Sequence, residues 1–217
     1  IVVVDAEGQQ VPYQITSDEK VIFPVTVQAN GSAVYTIKAG IPQECPVKAC
    51  GRYYPERVDD VAWENDLTAF RAYGPALQET GERAFGYDIW TKYNTTEPVV
   101  EARYEGELNP DMKAKIAELG KTDPKAAQEL YRSVSYHVDH GNGLDCYKVG
   151  PTLGGGTTAL MAGDTIIYPY CYATQEILDN GPLRFTVKLV YNPLVVKGDS
   201  TIIELSLIHI SEPTRRS

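Results

Sequence analysis

Outside the last thirteen residues the chain carries two histidines, and both fall in one segment: Tyr136-His137-Val138-Asp139-His140-Gly141-Asn142-Gly143-Leu144-Asp145-Cys146-Tyr147-Lys148. In an extended strand His137 and Asp139 share a face and His140 points the other way. The Gly-Asn-Gly that follows marks a turn or bulge able to swing His140 back toward them. Two imidazoles and a carboxylate gathered this way are the parts for general acid–base work near neutral pH. The same trio, His137, Asp139 and His140, also suits a divalent metal, so the cofactor is either none or such an ion. A third reading makes them histidines at a strand end, hydrogen-bonded and inert.

Upstream lies Arg52-Tyr53-Tyr54-Pro55-Glu56-Arg57-Val58-Asp59-Asp60-Val61-Ala62-Trp63-Glu64-Asn65-Asp66, dense in arginine, carboxylate and aromatic residues without helical period. Read as an ordered functional loop, it offers Arg57 to grip a substrate carboxylate and Trp63 and Tyr54 to stack on a sugar ring. Glu64, Asp66 and Lys148 complete this substrate-binding set. The competing reading is an internal salt-bridge network that ties the segment to a sheet. Arg71-Ala72-Tyr73-Gly74-Pro75 is open to both. Tyrosine is the compositional outlier, 15 against 4 Phe and 2 Trp. Tyr168, Tyr170 and Tyr172 alternate and would share one face of a strand, as a sugar platform or simply as strand formers. Gly154-Gly155-Gly156-Thr157-Thr158 lacks the Gly-Lys-Ser/Thr ending of a phosphate loop.

The elements that must hold these residues read as mostly β. Residues 1–40 form an N-terminal β unit of short strands at 1–5, 11–15, 20–28 and 33–38, with a hairpin turn at Asn30-Gly31. Residues 41–106 read as loop-rich. A helical hairpin is inserted at 109–133: Asn109-Pro110-Asp111 starts a helix that Gly120 stops, and Asp123-Pro124 starts its partner. Strands return from Val134 onward, notably over 166–172, 183–191 and 201–204. The expected fold is a β-sandwich over 41–204, truncated at both ends. Residues 205–217 read as a translated sequencing adapter rather than native sequence, and Ile1 stands where a start and any signal peptide would precede it. Cys45 and Cys50 are spaced for a loop-closing disulfide. A formal charge of −9 argues against nucleic acid and anionic membrane surfaces as partners, and no apolar run is long enough for a membrane span. Oligomeric state is not legible.

Five stretches, 56–66, 71–77, 136–147, Val149-Gly150-Pro151-Thr152-Leu153-Gly154-Gly155-Gly156, and Ile177-Leu178-Asp179-Asn180-Gly181-Pro182-Leu183-Arg184, together resemble the family called domain of unknown function 4861. The likeness extends over most of residues 1–204. It implies an exported, periplasmic or secreted bacterial protein of a polysaccharide-utilisation system, with a β-sandwich of the galactose-mutarotase kind longer than this chain. It also implies carbohydrate chemistry, in some relatives elimination by a dehydratase on uronic-acid-containing oligosaccharides; no catalytic residue is carried over from it. Elimination beside a uronate needs a cation on the carboxylate, a base for the α-proton and an acid for the leaving group. Arg57, then His137 or His140, then Tyr147 would fill these roles. The alternatives are a non-catalytic carbohydrate-binding domain built on Tyr168–Tyr172, or a sugar epimerase by analogy of fold.

Overall fold

Short alternating segments open the chain. The computed structural model describes residues 1–196, 198–201 and 203–210. Its first elements are β1 (Val2–Val4), β2 (Gln10–Val11), β3 (Gln14–Ile15), β4 (Val21–Ile22) and β5 (Thr36–Lys38). β1 is the centre of a three-stranded antiparallel sheet between β2 and β5, and β3 pairs with β4. The expected turn at Asn30-Gly31 is present, with Asn30 at φ 59° and the Gly31 amide on Gln28 O at 2.9 Å. The strands on either side of it are shorter than the sequence suggests, and β5 pairs with β1 across the unit instead. Gln14 fastens this unit to the distant segment at 183–184. Its Oε1 accepts from the Leu183 and Arg184 amides at 3.1 and 2.7 Å, and its Nε2 donates to Arg184 O at 2.9 Å.

Residues 41–106, read as loop, hold a four-stranded antiparallel sheet and two helices: β6 (Cys50–Tyr54), β7 (Asp60–Glu64), β8 (Thr68–Ala72), α1 (Pro75–Glu79), β9 (Asp88–Thr91) and α2 (Val100–Leu108). The strands run in the order β6-β7-β8-β9. The helical insertion is therefore three helices, α2 followed by the expected pair α3 (Pro110–Thr122) and α4 (Pro124–Val134). Asn109 and Asp123 cap that pair through the Met112 and Ala126 amides, at 2.9 and 3.0 Å. α3 runs through Gly120, a residue a helix interior tolerates at about 1 kcal/mol. Beyond come β10 (Leu160–Ala162), β11 (Thr165–Ile167), β12 (Tyr172–Asn180), β13 (Arg184–Tyr191), β14 (Leu194–Val196), β15 (Asp199–Thr201) and β16 (Glu204–Ile210).

Two sheets meet face to face, and the protein is mostly β with a sandwich at its centre. From β13 the alternate residues Phe185, Val187, Leu189 and Tyr191 enter a core shared with Val61, Trp63, Ala72 and Tyr87. β13 lies between β12 and β16, each antiparallel to it. β16 takes in residues 205–210 of the segment set aside as adapter-derived, in register from Val190↔Glu204 to Arg184↔Ile210. Backbone pairing satisfies an open strand edge whatever the origin of the segment that supplies it. Residues 211–217 of that segment lie outside the described residues.

The four-stranded sheet is covered on its other face too. Because successive strand side chains point to opposite faces, Val61, Trp63, Phe70 and Ala72 face the sandwich. Asp60, Ala62, Glu64, Ala69, Arg71, Asp88 and Trp90 take the reverse side. There Ala62, Ala69 and Trp90 pack with Val100 and Tyr104 of α2 and with Tyr136. The helices thus form a third layer, and this second interface holds most of the buried charge.

Candidate active site

At the centre of that interface Arg71 is 2% exposed. Its guanidinium forks onto two carboxylates, donating through one Nη2 to Asp88 and, at 2.8 Å, to Asp145. Nη2 also lies 3.1 Å from the Tyr73 hydroxyl, Nη1 lies 3.3 Å from that of Tyr136, and Nε stands 3.9 Å from Asp60. Asp60 in turn is 3.7 Å from Arg57. Three buried carboxylates therefore share two guanidiniums, and one negative charge is left in excess. Burial pushes the Asp60 carboxyl up to about 7, against the pull of Arg71 and Arg57. Burial likewise raises Asp145. Burial opposes the charge on Arg71, but the surrounding Tyr104, Tyr73, Asp60 and Tyr136 oxygens outweigh it and keep the guanidinium ionised.

This network reaches the surface at His137, whose side chain is 42% exposed. Its Nδ1 sits 3.2 Å from the Asp145 carbonyl and 3.4 Å from the Asp145 carboxylate. Both are acceptors, so Nδ1 carries the proton in the neutral ring, and Nε2 keeps its lone pair for an incoming group. The imidazole lies 4.6 Å from the Tyr136 ring, centroid to centroid, and Arg57 Nε is 3.3 Å from the Tyr136 hydroxyl. Tyr136 thus links a half-exposed base on one side to a partly exposed cation on the other. The loop before Asp145 is fixed by Gly143 at φ 99°, where a Cβ would stand 2.0 Å from Thr91 O. Only glycine lets the chain lie that close to β9, and the bridge Trp90↔Asp145 depends on it.

The trio expected from the sequence does not assemble. Residues 136–144 are turns and bends rather than a strand, and each member finds its own partner. His140 Nε2 donates to Ser135 O at 3.0 Å. Asp139 accepts from the Tyr93 hydroxyl and from the Gly141 and Gly143 amides, which closes its own turn and lowers its carboxyl, the Tyr93 bond contributing most. His137 alone joins the buried network. Among the described residues no group of three or more His, Cys, Asp or Glu could hold a metal ion. Tyr147 is exposed at its edge and donates to Tyr87 O at 3.3 Å, its phenol raised by partial burial. Lys148 is exposed.

The substrate-binding set is corrected more heavily. Residues 50–64 are two strands joined through a short 3-10 helix at Pro55–Arg57, and the salt-bridge reading is the one observed: Arg52 binds Glu101 at 2.8 and 2.7 Å and Glu56 at 2.6 Å. Trp63 is buried inside the sandwich, stacked between Phe70 and Phe185, so no sugar reaches it. Glu64 is buried too, held by Lys92 at 2.8 Å and by the Val99 and Val100 amides. Asp66 is buried, 4.0 Å from Lys48. Of the three alternating tyrosines only Tyr172 begins a strand; it is buried and donates to Asp59 O. Tyr168 and Tyr170 belong to the preceding loop and both contact Phe85. Cys45 and Cys50 are free thiols, as are Cys146 and Cys171. Arg71, Asp88 and Asp60, the centre of the network, carried one usable signal: an arginine inside the apolar strand pattern Ala69-Phe70-Arg71-Ala72, where only a buried counter-charge makes sense.

Among the described residues no helix is long and apolar enough to cross a membrane. The model of the family described as Domain of unknown function (DUF4861) matches residues 1–213. A relative from Formosa agariphila, "Uncharacterized protein P7", is 28% identical over 162 residues, which cover 71% of this chain and 35% of the relative. The chain thus spans about a third of the length of the curated relative it matches. No solved structure matches.

Proposed function

The chain belongs to the DUF4861 family, and from that membership and the geometry around His137 we propose that it acts on uronic-acid-containing oligosaccharides by elimination, as a dehydratase or lyase of an exported polysaccharide-utilisation system. The observation that carries the reading is the half-exposed His137 imidazole, oriented by Asp145 and backed by the Arg71 network. His137 Nε2 takes the proton α to the carboxylate, and the electron pair of that C–H bond becomes the new C=C bond as the β C–O bond breaks. Arg57 faces the substrate carboxylate and stabilises the charge that develops on it. Tyr147, held protonated, donates to the departing oxygen, so that water leaves in a dehydration and a sugar hydroxyl in a chain cleavage.

The test is to incubate the chain with saturated and unsaturated uronic-acid oligosaccharides and follow products by ultraviolet absorbance and mass spectrometry. The expected result is a conjugated product with loss of one water, or a cut chain without added water. His137→Ala should slow its formation by about 10²–10⁴-fold while sugar binding persists. Activity within a few-fold of wild type in that variant would sink the assignment. A second reading, a non-catalytic sugar-binding domain, is supported by the 51% exposure of Tyr170. It predicts binding without product and indifference to the loss of His137.

A further inference from the structure

A cleft of about 510 Å³ opens where the loop before β12 faces the end of α1, lined among others by Gln78, Gly81, Glu82, Arg83, Tyr170 and Asn192. Its geometry has a local cause. Just past the end of α1, Gly81 adopts φ 86° and returns its amide to Gln78 O at 3.0 Å. This turn throws Glu82 and Arg83 outward before Ala84 and Phe85 dive into the core. Opposite them Tyr170 is held at φ 60°, a conformation few residues other than glycine adopt. The flanking Pro169 and Cys171 are buried and fix it there. Its ring stands nearly perpendicular to that of Phe85, centroids 4.9 Å apart and planes at 81°, which sets its orientation while half of the residue stays exposed.

The polar groups around that ring are uncommitted. The side chains of Glu82, Arg83 and Asn192 make no hydrogen bond or ion pair among the described residues, and Gln78 spends one amide proton on Ala84 O at 3.2 Å. A flat aromatic face beside a guanidinium, a carboxylate and an amide is a set that recognises a sugar ring: C–H groups lie on the phenol, and hydroxyl groups pair with the rim. We propose that this cleft is a sugar-binding subsite, with Tyr170 as its platform and Arg83 and Glu82 as the grip on neighbouring hydroxyls. Arg83 and Glu82 cancel in charge, so the subsite selects ring shape and hydroxyl geometry rather than the charge of the sugar. It rests on the carbohydrate reading above and adds to it a place where a unit of the chain is held by residues other than those around His137.

The test is calorimetric titration of the full 217-residue chain with matched neutral and uronic-acid tetrasaccharides, alongside Tyr170→Ala, Arg83→Ala and His137→Ala. Both cleft positions are exposed, so each variant should keep the wild-type melting temperature. Tyr170→Ala and Arg83→Ala should each weaken binding about five- to tenfold, and His137→Ala should leave it unchanged. Raising salt to about 0.5 M should alter affinity for the neutral tetrasaccharide, which offers Arg57 no carboxylate, less than twofold. Cleft variants that bind as wild type would overturn the subsite, even if an elimination product forms. Binding lost in those variants without product from any sugar would uphold the subsite and remove the elimination reading. A wild-type chain that binds none of the sugars would overturn both.

Discussion

Arg71 shows how a single residue commits a fold to charge in its interior. Two carboxylates and two phenols lie within hydrogen-bonding distance of one guanidinium, and a third carboxylate stands at 3.9 Å. Removing a buried charge from such a set costs more than the set contributes, because its partners stay behind unpaired. Arg71→Met should therefore destabilise the protein by about 3–5 kcal/mol, measured as a fall in the urea unfolding midpoint. Arg71→Lys should recover only part of this, since a single ammonium nitrogen cannot also supply the Nη1 that meets Tyr136 and the Nε that faces Asp60. Wild-type stability in Arg71→Met would mean that the carboxylates simply take up protons and the guanidinium contributes nothing. His137 depends on the same residue at one remove, through Asp145.

At the scale of elements, α2 is the instructive case. Its first residues, Val99 and Val100, offer no side-chain cap. The cap comes from Glu64 on β7, whose carboxylate accepts from both amides at 2.9–3.0 Å while Lys92 neutralises it. A carboxylate at a helix N-terminus satisfies orphan amides and complements the helix dipole. Glu64→Ala removes that cap and strands the buried Lys92, with an expected loss of about 3–5 kcal/mol visible in urea unfolding. A variant as stable as wild type would show that the cap does not hold the helix. The same cap separates the helices that could be read from the sequence from the one that could not. The α3–α4 pair was legible because Asn109 and Asp123 cap it locally, three residues from the amides they accept. α2 was not, since its cap lies 35 residues upstream. Likewise the alternating apolar residues of β13 announce a strand, whereas residues 52–66 looked like a loop because their charges meet partners supplied by other elements. Of the candidate site, His137 and Arg57 were legible as chemistry-bearing residues, but the buried carboxylates that orient them were hidden in strand-like surroundings.

For the molecule as a whole, the raised carboxyls set the direction of its pH dependence. The folded-state value of Asp60, about 7, exceeds the 3.8 it has when unfolded. The native state therefore binds more protons across that interval, and stability falls as pH rises from about 4 to about 7 before levelling. Asp145 acts in the same direction. The carboxyls lowered by their partners, such as Asp139 and Glu101, work the other way but are ionised in both states above pH 5.5 or so. The urea midpoint should thus be lower at pH 8 than at pH 5, and Asp60→Asn should shrink that difference. An unchanged difference in the variant would place the titrating group elsewhere.

The charged interface also fixes how the strands of the central sheet are aligned. Arg71 lies opposite Ala62 on one side and Asp88 on the other. If β8 slid by one residue, every side chain on it would change faces: Arg71 would enter the aromatic sandwich beside Trp63, and Phe70 would fall among three carboxylates. An all-apolar sheet tolerates such a slip far better than this one does. The buried ions thus exclude a competing fold of the same chain, and that holds even if they add nothing to the stability of the native one.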